Sequence, residues 1–78
     1  MKVLYGLKNG ESRLIETDVD EQLVMNRVEK GWYDGEYNAG DTVRFEICEV
    51  EYDEDKDEMD YENEKVVIAR TRQIPKYE

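Results

Sequence analysis

The spacing of apolar residues changes twice along the chain, and each change predicts an element. KVLYGL (2–7) and SRLIET (12–17) are short apolar-bearing runs separated by KNGE (8–11). Asn9-Gly10 is a strong hairpin signal, because both central residues of a type I′ turn need positive φ. Closing on that turn places Lys8 opposite Glu11, Tyr5 opposite Leu14, and Leu4 opposite Ile15. The spacing then lengthens. In TDVDEQLVMNRVEKG (17–31), Val19, Leu23, Val24, Arg27 and Val28 form a narrow stripe at helical spacing, enough to lie on a sheet. The pattern predicts a helix over 18–30. Thr17 or Asp18 supplies its N-cap, Asp18 and Glu21 have capping-box spacing, and Gly31 gives the left-handed stop. Asp20 and Glu21 at the start and Lys30 at the end suit the helix dipole.

GWYDGEYNAGD (31–41) reads as a loop with Trp32, Tyr33 and Tyr37. Trp32 either closes the core over the helix end or joins an aromatic contact patch, a role for which Trp and Tyr are favoured. From residue 42 the period returns to two. TVRFEICEVEY (42–52) places Val43, Phe45 and Ile47 on one face, continued by Glu49, Glu51 and Asp53. EKVVIARTRQI (64–74) carries Val66 and Ile68 on one face and Val67 and Ala69 on the other. A turn centred on 55–58 puts Phe45 opposite Ile68, Ile47 opposite Val66, and Tyr52 opposite Tyr61, a register in which apolar partners match. The expected fold is α+β in the order β-β-α-β-β. It is a single domain with a hairpin (2–17), a helix (18–30), a loop (31–41) and a long acidic β-hairpin arm (42–74). No internal repeat is evident.

Charge changes this picture. The chain of 78 residues is 41% charged with a formal net charge of −10. From Glu46 to Glu64 there are eleven acidic groups and one Lys, so this segment holds the entire net charge. The expected register sets Glu49 opposite Glu64 and Glu51 opposite Glu62, and like charges directly opposite are destabilising. Such a surface repels nucleic acid and anionic membrane and attracts basic protein patches. The expected partner-binding residues are Glu46, Glu49, Glu51, Asp53, Glu54, Asp55, Asp57, Glu58, Asp60, Glu62 and Glu64, with Tyr52 and Tyr61 among them. The plainer alternative is a solvated acidic face in a small structural or solubilising domain.

Other chemistries fit less well. Asp53, Asp55, Asp57 and Glu64 have the carboxylate spacing of a calcium loop, but Glu58 stands where that loop needs Gly, and the flanks read as strands. No metal or cofactor is expected. The chain has no His and one cysteine, Cys48, which therefore has no imidazole to activate it. Glu54-x-Lys56 is a fragment of a metal-dependent nuclease signature on a chain short for that core. An exposed arm also offers no cleft to split the pKa values of paired carboxylates. The expectation is a non-enzymatic protein. The lone Cys suits a reducing cytoplasm, and no apolar run approaches the roughly 18 residues of a membrane span.

Duplex DNA carries one charge per ~3.4 Å along each strand, and a β-strand rises about 3.3 Å per residue. Two acidic strands side by side therefore present charge at a density near that of two phosphate backbones. In size, charge and this acidic strand segment, the chain resembles the small acidic DNA-mimic proteins that phages use to disable host DNA-binding proteins. These include inhibitors of the nucleoid protein HU and some anti-CRISPR proteins. The resemblance implies a cytoplasmic inhibitor, often dimeric, that fills a basic DNA-binding cleft without itself binding nucleic acid. It points to HU as the specific partner, with an enzyme acting on nucleic acid as the alternative. An exposed sheet edge adds strand-mediated dimerisation to the expectations.

Overall fold

The computed structural model describes residues 1–76. Asn9 and Gly10 both adopt positive φ (52° and 80°), so the chain reverses between β1 (Lys2–Lys8) and β2 (Glu11–Thr17) as a type I′ turn requires. Lys8 faces Glu11 and Tyr5 faces Leu14, but an irregularity beside Tyr5 sets Leu4 opposite Glu16 rather than Ile15. Two further strands, β3 (Thr42–Asp53) and β4 (Glu58–Gln73), complete one antiparallel sheet in the order β2-β1-β3-β4. The α+β expectation is corrected by the proportions. Strands of 7, 7, 12 and 16 residues dominate a single helix of nine, so the chain is mostly β. A 3-10 turn, Asp34–Glu36, also enters the order between helix and third strand.

The helix, α1 (Glu21–Glu29), begins later than its sequence suggests. Asp18 has φ of 54° and cannot open a helix, and the Val19 N–H donates to the Lys2 carbonyl instead. Asp20 becomes the N-cap, its carboxylate accepting from the Leu23 N–H at 2.9 Å. With that start, Val24, Met25 and Val28 face the sheet, and Leu23 turns outward. They meet Leu4, Val43, Phe45, Ile47 and Ile74 in the main core.

Gly31 takes the left-handed conformation (φ 79°) and sends the next residue outward. Trp32 is accordingly 66% exposed, with the Arg27 guanidinium 4.7 Å from its ring centroid, and does not close the core. Tyr33 does so, packing 5.8 Å from Phe45, while Tyr37 meets the same ring edge-on. Arg72 of β4 fixes this loop, donating to both Asp34 carboxylate oxygens at 2.8 and 2.7 Å.

The pairing of β3 with β4 also departs from expectation. Ile47 faces Ile68, and Phe45 faces Arg70. A bulge between Ile47 and Cys48 then sets Cys48 opposite Val66. Four consecutive apolar residues, 66–69, allow several registers of similar hydrophobic match, so matching alone does not choose one.

Gly6 gives a test of the packing. A Cβ there would land on the Tyr37 hydroxyl oxygen, and that hydroxyl is buried without a hydrogen-bond partner. Gly6→Ala is expected to destabilise by about 2 kcal/mol, in the range of overpacked cores. Gly35→Ala, where a Cβ meets open space, should cost far less. In a Tyr37→Phe background, urea midpoints should show the Gly6→Ala penalty shrinking, because the clashing oxygen is gone.

Candidate functional site

Past Ile47, the strand that built the main core changes role. Cys48 and Val50 face away from the helix and pack with Val3, covered by Tyr5 and Met59. The Val50 N–H donates to the Met1 carbonyl at 2.8 Å. Beyond this second cluster, β3 and β4 leave the body as an arm, and the molecule measures 52 × 25 × 16 Å. The turn spans 54–57, one residue earlier than expected. Asp53 folds it by accepting the Asp55 and Lys56 backbone N–H groups at 3.0 and 3.3 Å. Asp57, with φ of 53°, closes it.

The expected acidic register is overturned. Glu49 faces Lys65, not Glu64, and Glu51 faces Asp60, not Glu62; Tyr52 faces Met59 rather than Tyr61. Between the rungs Glu49–Lys65 and Glu51–Asp60, β3 advances two residues while β4 advances five. Four β4 residues, Tyr61–Glu64, thus lie against Val50 alone, three more than a regular ladder holds. Asp60 shapes this excursion, accepting from the Glu62 N–H at 3.2 Å and the Asn63 side-chain amide at 2.7 Å. The Asn63 amide is the main reason that the Asp60 carboxyl titrates below the ordinary Asp value.

The eleven carboxylates therefore separate by what they do. Glu46 pairs with Arg44 at 2.9 Å, and Glu49 with the Met1 ammonium at 3.1 Å. Asp53 and Asp60 hold backbone and amide donors. Glu64 acts on the Tyr5 phenol, whose pKa is raised by burial first and by this carboxylate next. The remaining six, Glu51, Glu54, Asp55, Asp57, Glu58 and Glu62, make no side-chain hydrogen bond or ion pair among the described residues. They cluster at the distal end, where Tyr52 and Tyr61 are also exposed. The body behaves differently: Lys2, Lys8, Arg13, Arg27, Arg70 and Arg72 each meet a carboxylate there.

An open groove of about 510 Å³ runs along the arm. Asp53, Glu58, Asp60 and Glu62 give it an acidic rim interrupted by Lys56, and Met59 and Tyr61 supply apolar surface. The sequence had shown Met59 as a lone aliphatic residue in an acidic run, which was the one signal of its packing role; Tyr5 carried none.

Cys48 is buried, and burial together with Glu64 and Glu46 pushes its thiol up to about 11, away from thiolate chemistry. Among the described residues, no three His, Cys, Asp or Glu converge in a metal-holding arrangement, and Asp53 spends its carboxylate on the turn. No helix among them is long and apolar enough to cross a membrane. No family model, curated protein or solved structure matches this chain.

Asn63→Ala should return the Asp60 carboxyl toward its ordinary pKa, read by carboxyl carbon NMR across an acid titration. The sign follows from the lowered value. The contribution of Asp60 is present above the unfolded-state pKa and is lost as pH falls through the lower folded one. The variant should therefore lose the acid-dependent part of arm stability below about pH 4, near the ordinary Asp value.

Proposed function

We propose that this protein is a non-enzymatic inhibitor that acts in the cytoplasm by placing its acidic arm on the basic DNA-binding surface of another protein. HU is the specific candidate, on the strength of the resemblance to DNA-mimic proteins. The observation that carries the reading is electrostatic: among the described residues, no ion pair reaches the segment 50–69, although the body pairs its charges. Exposed carboxylates left without cations are available to someone else's.

Magnitudes support the analogy. The rungs from Glu51–Asp60 to Asp53–Glu58, with the turn, extend roughly 10 Å at the rise of a β-strand. Duplex DNA carries one charge per ~1.7 Å of axis, or about six in that length. The arm offers seven carboxylates there, five of them free: Glu51, Glu54, Asp55, Asp57 and Glu58. The groove adds a feature plain solvation does not need: acids around Met59 and Tyr61 suit a guanidinium or ammonium with its aliphatic stem. Buried Cys48 and the absence of His support the non-enzymatic reading.

The test is displacement of a fluorescent duplex from purified HU. Wild type should displace DNA at ~0.1 M salt and lose potency at ~0.5 M, where screening is much stronger. Changing Glu51, Glu54, Glu58 and Glu62 to Gln and Asp55 and Asp57 to Asn should leave the fold intact. It should also raise the half-displacing concentration at least about tenfold, near 1.4 kcal/mol, and flatten its salt dependence. A folded variant with unchanged potency would assign the arm to solubility. Direct binding of DNA by the isolated chain would sink the mimic reading.

A further inference from the structure

We propose that the α-amine of Met1 is a modification-sensitive site: as an ammonium it fixes the root of the arm, and acylating it loosens the arm. The register of β1 with β3 runs from Leu7–Arg44 to Lys2–Glu49, and one further step sets Met1 beside Val50. Both backbone bonds of that step are made. The Val50 N–H donates to the Met1 carbonyl at 2.8 Å, and the Met1 ammonium donates to the Val50 carbonyl at 3.0 Å. The same ammonium donates to the Glu49 carboxylate at 3.1 Å. One amine thus holds adjacent residues of β3 by a carbonyl and a carboxylate.

Position gives this contact its weight. Val50 stands between the rungs Glu49–Lys65 and Glu51–Asp60, and the register gives it no partner on β4. Strand β3 is therefore least supported on its β4 side at the residue where the arm begins. On its other side, Met1 carries the pairing one step beyond Lys2–Glu49. Lys65 lies opposite Glu49, yet the carboxylate takes the ammonium, and Lys65 makes no ion pair among the described residues.

Met1 is 36% exposed, so a reagent can reach its amine. Transfer from an acyl thioester forms the amide C–N bond and breaks the thioester C–S bond. Of the two protons that the ammonium loses, one leaves with the thiol and the other goes to solvent. The amide keeps one N–H for the Val50 carbonyl but carries no charge for Glu49. A charge-assisted hydrogen bond is thereby removed while the backbone step is kept. The consequence for binding rests on the proposed role of the arm, because a loosened arm must be ordered again when it binds.

Amide hydrogen exchange on the full chain tests the site without a partner. An N-α-acetylated chain and a free-amine chain, both made by chemical synthesis, are compared. Acetylation should accelerate exchange at Val50, Glu51 and Tyr52 by about fivefold, the scale of one charged hydrogen bond at a partly exposed position. Amides at Phe45 and Val28 should keep their rates. Glu49→Ala should reproduce the acceleration in the free-amine chain and leave acetylation with little further effect. Unchanged arm exchange on acetylation would overturn the proposal. So would an acetyl effect that persists in full in Glu49→Ala, or one that spreads equally to Phe45 and Val28. DNA displacement from HU separates the two readings. An acetylated chain with a loosened arm and undiminished potency would overturn the role of the amine in binding and leave the mimic reading standing. A free-amine chain that fails to displace DNA would overturn the mimic reading, with the exchange result still deciding the site.

Discussion

Val43, Phe45 and Ile47 face the helix while Cys48 and Val50 face the other way, so β3 is buried on both sides before it enters the arm. Fully burying an aliphatic or aromatic side chain is worth about 1.5–3 kcal/mol, and β3 supplies five such positions counting Cys48 as a small apolar residue. This double burial fixes the strand in direction and in rotation about its axis. The arm is the continuation of that strand, so its root inherits both. A strand buried on one face only could have slipped or twisted under the repulsion of its distal acids.

The parts of the fold written in local chemistry were legible in the sequence. Asn9-Gly10 could satisfy its turn in few other ways, Gly31 was needed for a left-handed stop, and the alternation in 43–47 could serve only a strand with an apolar face. The parts decided by competition among equivalents were not. Asp18 and Asp20 are both able N-caps, and the choice fell to Asp20 because the chain first pairs Val19 with Lys2 across the sheet. Trp32 and Tyr33 are adjacent aromatics, and the positive φ of Gly31 decided which entered the core. The run 66–69 was ambiguous by two residues, and a register error there propagates to every acidic pair beyond it. The acidic segment was thus visible as a site, whereas its division into structural and free carboxylates was not. That division depends on backbone excursions, which period-2 reasoning cannot generate.

The excursion has an electrostatic consequence. A regular ladder continued from the Glu49–Lys65 rung would have set Glu51 opposite Asn63 and Asp53 opposite Tyr61, whereas the excursion sets Glu51 opposite Asp60 and Asp53 opposite Glu58. Nearer the body, Glu46 pairs with Arg44 and Glu49 with the Met1 ammonium, so two carboxylates at the root are given cations. Repulsion between two unit charges at close range is about 1 kcal/mol in water and several times larger at a partly desolvated surface. Relieving it near the apolar cluster, where the dielectric is lower, therefore matters more than relieving it at the solvated tip.

At the tip nothing is relieved. Glu51 faces Asp60 and Asp53 faces Glu58 directly across the arm, and Lys56 is the single cation from Glu51 to Glu64. The same chain shows that it can neutralise acids: Arg13 meets Glu36, Lys8 meets Asp41 at 2.7 Å, and Arg72 takes both oxygens of Asp34. A surface needing only solubility could have spread its charge around the body, where each added carboxylate would repel fewer neighbours. Confinement to one projection concentrates the field in one direction instead. The free energy stored in that repulsion is released when cations of a partner enter among the acids, so a cost to the free protein becomes a driving force for association.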